Sequence, residues 1–252
     1  MRLLLLAAAA LWTPTPTTEP WQLQLQGRVD TSLEASMYDV DGQETPASKV
    51  DKIHARGAKA VCYFSAGTYE NWRPDRKRFP KRMIGRKLPD WEGERWLDIR
   101  KRDALLPIMR DRMEACAAKG FDGIDPDNVD AYTHPTGFPL TGADQLRYNR
   151  ALAAAAHDLG LAIGLKNDLA QIPKLVDYFD FAVNEQCFQY HECGRVRPFI
   201  RAGKAVFNVE YELSRSQFCR RAQELQFSSI RKRLTLRAWR TTCSPRSSSK
   251  TL

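Results

Sequence analysis

Two hydrophobic spacings alternate along the chain after residue 30. Short runs rich in β-branched and aromatic residues read as strands: Ser36–Val40, Lys59–Phe64, Trp96–Ile99, Gly123–Asp125, Ala162–Leu165, Phe181–Asn184, Ala205–Val209 and Phe227–Ile230. Between most of them lie segments with apolar positions three and four apart, the spacing of a helix with one buried face. Pro46–Arg56, Leu105–Lys119 and Gln145–Leu159 are the clearest, and each is followed at once by a glycine: Gly57, Gly120 and Gly160. A glycine there supplies the left-handed residue that ends a helix, and a strand follows within a few residues, as in αβ connections. Eight strands with intervening helices predict a single-domain α/β (β/α)₈ TIM barrel. A doubly wound open sheet would want a glycine-rich phosphate loop after an early strand, and none is present. The long Trp- and Pro-rich stretch from Ser65 to Arg95 follows the second strand, on the face where such a loop walls a groove.

The ends of the chain read differently. Met1-Arg2 precedes the apolar run Leu3–Leu11 and then a Thr-Pro-Thr-Pro stretch, the pattern of a secretory signal peptide. Residues 1–20 are therefore read as signal and short linker, with Ala8 to Ala10 as one cleavage option, and the product as secreted or periplasmic. No apolar run approaches the roughly 18 residues that span a bilayer. Export permits disulfides, and the six cysteines form an even set. Cys187 and Cys193 are close enough to staple a loop, and Cys219 with Cys243 would tie down the last helix. Cys62 and Cys116 remain, as a third pair or as buried thiols.

The 252 residues carry 39 Lys and Arg against 30 Asp and Glu, a formal charge of +9. That excess lies wholly from Arg215 onward, where Glu224 is the one acid among ten basic residues, so the first 214 residues are neutral. No nucleic-acid recognition motif accompanies this basic end, and it reads as a solvated face with a disordered Ser-rich tail at 244–252.

In a barrel all strand C-termini open on one mouth. The residues there are Asp39 and Asp41, Tyr63 and Ser65, Asp98, Asp125, Asp127 and Asn128, Lys166, Asn167 and Asp168, Asn184, Glu185 and Gln186, and Glu210 and Tyr211. One carboxylate at a strand end is ordinarily a helix cap; a ring of them destabilises unless a cation or a reaction uses it. The four histidines are scattered, so no zinc site or other metal is expected. Asp125-Pro-Asp-Asn-Val-Asp130 starts like a calcium loop, but Val129 takes a ligand position and Asp130 replaces the required glycine. No Ser elbow is present. Paired carboxylates among Trp and Tyr point to glycoside hydrolysis, without a cofactor.

The segments WQLQLQGRVD (21–30), MYDVD (37–41), VCYFSAGTYENWRPD (61–75) and GERWLDIR (93–100) resemble glycoside hydrolase family 114. So do KGFDGIDPDNVDAY (119–132), TGFPLTGADQLRYNR (136–150), GLKND (164–168), DFAVNEQCFQYHEC (180–193) and GKAVFNVEY (203–211). The resemblance spans residues 21–243 and stops at the tail, and Gly42-Gln43 departs from its usual bulky apolar-acidic pair. It implies a secreted barrel that endo-cleaves α-1,4-linked, partly deacetylated galactosamine polymers, with catalysis on the Asp of DPDN, Asp127, and the Glu of NEQ, Glu185.

Strand geometry agrees with that pair. The strands bearing Asp127 and Glu185 flank the strand ending in Lys166, so their backbones stand about 9–10 Å apart. Inward side chains would close that gap, with Lys166 between them holding one carboxylate ionised. The expectation is Asp127 as nucleophile and Glu185 as general acid/base of a retaining reaction, with Glu210 in reserve. Asp39, Asp41, Tyr63, Asp98, Asp125, Asn128, Lys166, Asn167, Asp168, Glu210 and Tyr211 are expected to line the substrate site of a monomer. Trp72, Tyr63 and Trp91 are candidate stacking platforms, Trp91 being equally placed for the core. An acidic mouth suits sugars carrying ammonium groups. The alternatives are a catalytically silent polysaccharide-binding barrel and a hydrolase of another α-linked amino-sugar polymer.

Overall fold

The computed structural model describes residues 11–243; the apolar run up to Ala10 and the tail from 244 lie outside the described residues. In chain order the strands are β1 (Trp21–Gln24), β2 (Met37–Asp41), β3 (Lys59–Ser65), β4 (Thr68–Glu70), β5 (Ile84–Lys87), β6 (Glu94–Leu97), β7 (Gly123–Asp127), β8 (Ala162–Lys166), β9 (Phe181–Glu185), β10 (Val206–Glu210), β11 (Ser228–Arg231) and β12 (Thr241–Thr242). The helices are α1 (Ala47–His54), α2 (Arg102–Ala118), α3 (Gly142–Asp158), α4 (Ile172–Leu175), α5 (Cys193–Arg201) and α6 (Arg215–Glu224). Strands β1, β2, β3, β7, β8, β9, β10 and β11 run parallel in that order and form a nearly closed (β/α)₈ barrel, with β12 antiparallel on β11.

Two strand assignments change. The first barrel strand is Trp21–Gln24, which the sequence pattern did not single out. The Trp96–Ile99 segment belongs to a separate antiparallel sheet, β4-β6-β5, built from the excursion after β3. The predicted helix stops hold: Gly57, Gly120 and Gly160 all have φ between 71° and 84°. A capping box starts α3, where Thr141 and Asp144 satisfy each other's amides.

Side-chain alternation splits the interior. Residues facing the helices form one apolar layer, while Trp21, Leu23, Met37, Val61, Phe181, Val183, Phe207 and Val209 fill the barrel itself. Along each central strand the inward series runs from apolar to polar toward the mouth: Met37-Asp39-Asp41, Gly123-Asp125-Asp127 and Phe181-Val183-Glu185. Gly164 makes room for this plug, since a Cβ there would fall 2.4 Å from the Phe181 ring. The segment before β1 packs on the barrel too, with Trp12 against Phe181 at 5.5 Å between centroids and Pro14 O accepting from Ala205 N at 2.8 Å.

Side chains and the C-terminal segment bridge the seam between β1 and β11. Buried Lys232 donates to Gln22 and to Arg237 O, Gln22 donates to Ala238 O, and Arg240 donates to Trp21 O at 2.6 Å. Three disulfides close the set: Cys187–Cys193 and Cys219–Cys243, as expected, and Cys62–Cys116, which joins β3 to α2. No helix among the described residues is long and apolar enough to cross a membrane.

Candidate active site

Asp127, Lys166 and Glu185 are the last residues of β7, β8 and β9, three neighbours in the sheet. The residue after each one turns the chain out of the barrel with positive φ: Asn128 at 60°, Asn167 at 50° and Gln186 at 61°. Asn tolerates that region because its short amide bonds locally; Gln does so less readily, so the turn at Gln186 stores strain next to Glu185. Gly67 permits the first turn, since its Cα packs under Asn128 and a Cβ there would lie 1.8 Å from the Asn128 carbonyl.

The Lys166 ammonium bridges the two carboxylates, 3.1 Å from Asp127 Oδ1 and 3.2 Å from Glu185 Oε2. Both acids have two further donors. Tyr63 OH reaches Asp127 Oδ2 at 2.7 Å and Asn128 N reaches Oδ1 at 2.8 Å. Asn167 Nδ2 reaches Glu185 Oε2 at 3.3 Å, and Tyr211 OH donates to Oε1. Burial alone would push the Asp127 carboxyl up; the Lys166 charge, the Tyr63 phenol and the Asn128 amide outweigh it and hold Asp127 below its ordinary range. Burial likewise opposes the Lys166 ammonium, but Asp127, Glu185 and Asp125 keep it charged well above a free lysine's range.

These groups sit at the floor of an open cleft of about 830 Å³. The β4–β6 excursion forms one wall with Trp72, Trp91 and Glu94; Leu25, Leu234 and Leu236 contribute another. Trp72 and Trp91 are 45% and 42% exposed, which removes the core alternative for Trp91. Tyr63 faces the cleft while bonded to Asp127. Eight carboxylates line the cleft against two cations, Arg73 and Lys166.

Of the sequence-predicted positions, Asp41, Tyr63, Asn128, Lys166, Asn167 and Tyr211 join Asp127 and Glu185 in the lining. Five others do not. Asp98 is turned onto Arg100 at 2.7 Å and fixes the β6–α2 connection. Glu210 is fully buried and accepts the amides of Phe188 and Gln189 and the Asn208 side chain, so it anchors the loop after β9 and does not reach the mouth. Asp168 accepts from Tyr132 and Asn149 beneath the floor, where burial and the Asp130 charge push it up to about 8. Asp39 and Asp125 lie lower still, fully buried, and among the described residues their four carboxylate oxygens have no donor except a proton held between the two carboxyls. The pattern missed Arg73, which grips Asp41 at 2.6 and 3.0 Å and Glu70 at 2.8 Å, and it missed Glu94. Both lie in the excursion, where no strand end marks them.

The crystal structure of Ega3 from Aspergillus fumigatus in complex with galactosamine superposes with a TM-score of 0.88 at 39% identity, covering 93% of this chain and 98% of that one. The glycoside hydrolase domain of PelA from Pseudomonas aeruginosa shares the fold at a TM-score of 0.70 and 12% identity, covering 88% and 98%. A Deinococcus radiodurans protein is 27% identical over 79% of each chain. The model of glycoside-hydrolase family GH114 matches residues 3–248. That match runs past Cys243, further than the motifs alone reach, and over that length this chain belongs to glycoside-hydrolase family GH114.

Proposed function

We propose that the chain is a secreted endo-hydrolase of α-1,4-linked galactosamine polymers, acting with retention through Asp127 and Glu185. The observation that carries this is the single Lys166 ammonium shared by two carboxylates at the floor of an acidic cleft. Two oxygens bound to one ammonium by legs of 3.1 and 3.2 Å lie at most about 6.3 Å apart, and about 5 Å for near-tetrahedral donors, which suits the retaining spacing rather than the inverting one. The galactosamine held by the 39%-identical Ega3 supports the substrate class. Three disulfides support an oxidising destination.

In the first step Asp127, kept ionised by Lys166, Tyr63 and Asn128, attacks the anomeric carbon. The bond to the leaving sugar breaks as Glu185 protonates its oxygen. Water then attacks the glycosyl–Asp127 ester while Glu185 takes its proton, restoring both groups. Glu185 suits proton exchange because its side chain is 26% exposed, against 20% for Asp127. Reducing-end release from purified galactosaminogalactan tests the reading. Asp127→Asn and Glu185→Gln should each fall about 10²–10⁴-fold while melting like the wild type, and proton NMR of the first product should show the α-anomer. No cleavage of that polymer by the wild type, or near-normal turnover by Glu185→Gln, refutes it.

A further inference from the structure

Buried carboxylates along the cleft wall are matched to protein cations with one exception. Arg73 serves Asp41 and Glu70, and Lys166 serves Asp127 and Glu185. Glu94, at the start of β6, is 6% exposed and pairs with no cation among the described residues. Its Oε2 accepts from Thr68 Oγ1 at 2.8 Å, and no described residue donates to its other oxygen, which opens on the cleft beside Trp72, Trp91 and Trp96. Its cross-strand partner is Glu70, a like charge, already taken by Arg73. A carboxylate in that position costs folding energy unless something supplies the missing charge.

We propose that Glu94 is the residue that reads the substrate's amino group: its free oxygen pairs with the ammonium of a galactosamine unit next to the cleaved bond, with the indole walls excluding water around the pair. This rests on the functional reading above and adds the residue that separates deacetylated from acetylated sugar. Location supports it. Thr68 Oγ1 lies 2.5 Å from Ser65 Oγ, Asn128 Nδ2 donates to Ser65 Oγ at 3.0 Å, and Asn128 N binds Asp127, so one hydrogen-bond chain fixes Glu94 relative to the reacting carboxylate. Energetics support it too. Burial, reinforced by the Glu70 and Asp127 charges and opposed by the Thr68 hydroxyl and Arg73, pushes Glu94 up to about 7. His134 and Asp130 are the remaining ionisable pair on the adjoining wall, 3.5 Å apart. An ammonium placed on Glu94 therefore displaces its proton.

Glu94→Gln keeps the shape and the Thr68 bond and removes the charge. For galactosamine oligomers KM should rise about 10- to 100-fold with kcat little changed, as for loss of a charged hydrogen-bond partner, while fully N-acetylated oligomers should be cleaved no worse than by the wild type. At pH 6 sugar amines are ammonium, and burial with the Glu70 and Asp127 charges favours a proton on Glu94 in the free cleft. Titration calorimetry of the wild type with galactosamine itself, which has no bond to cleave, in two buffers of different ionisation heat, should then show proton release. That measurement needs no variant, so it holds even where Glu94→Gln folds poorly. Equal KM changes on both substrates, or no proton release on binding, overturn the assignment while leaving the hydrolase reading intact. A wild type that neither binds nor cleaves galactosamine chains overturns both.

Discussion

Asp39 and Asp125 face each other inside the barrel, sharing a proton and taking no donor from the other described residues, and replacing Asp125 by Asn measures what that arrangement costs. Burial first, and the neighbouring Asp127 and Glu185 charges against the pull of Lys166, push Asp125 up to about 7 from the ordinary 3.8; burial and the Asp125 charge push Asp39 up as well. A carboxyl raised in the folded state adds stability that is fully present below the unfolded value and is lost as pH climbs through the folded one. With 1.36 kcal/mol per pH unit, a shift from 3.8 to about 7 removes about 2–3 kcal/mol between pH 5 and pH 8. An Asn amide carries no charge and can donate to Asp39. The mutant should therefore gain on the wild type by at least about 2–3 kcal/mol over that interval, because Asp39, relieved of the Asp125 charge, is pushed up less and loses no more than it does in the wild type. Guanidinium unfolding with the disulfides intact, at pH 5, 6, 7 and 8, gives the two curves. Parallel curves would mean that the pair is already supplied with a donor, and the reasoning fails.

Lys232 gives the opposite slope. Burial and the nearby Arg240 charge lower it to about 7, so wild-type stability should rise from pH 7 toward 10, and Lys232→Met should flatten that rise in the same melts. Opening the Cys62–Cys116 bridge by a double Ala substitution frees a loop of 54 residues and should lower stability by about 4 kcal/mol, read from the denaturation midpoint. Glu210→Gln, which touches the loop after β9 and the Asn208 side chain but not the cleft, should keep turnover within a few-fold, whereas Tyr211→Phe, stripping Glu185 of a donor, should lower kcat about 10-fold or more. The reverse order would return Glu210 to the chemistry.

Seven of the eight barrel strands were legible because buried parallel strands read as short continuous apolar runs. β1 was not, since Trp-Gln-Leu-Gln is short and half polar and makes no continuous apolar run; both glutamines are in fact buried, Gln22 in the seam and Gln24 toward the loop that follows, where it binds Gln26 O and Arg28 O. Trp96–Ile99 has true strand character, but periodicity does not say which sheet a strand joins. The same limit applies at the mouth. Asp127, Glu185, Asp98 and Glu210 look alike as acids near strand ends, and what separates them is the partner: a lysine on the cleft floor for two, an arginine or backbone amides for the others. Glu94 and Arg73 were hidden because a charged residue outside the barrel strands reads as solvated until the excursion folds over it.

The seam between β1 and β11 has a consequence for synthesis. Its bridges come from Lys232, Ala238 and Arg240, among the last residues of the barrel to be made. A growing chain can lay down β2 to β10 in order, but it carries two unsealed edges until those residues arrive, and such edges template pairing with a neighbouring chain. Ending translation before residue 232 should therefore yield aggregate rather than a smaller working enzyme, although every residue assigned to catalysis would already be in place. A chaperone that shields the β1 edge would matter most in that interval.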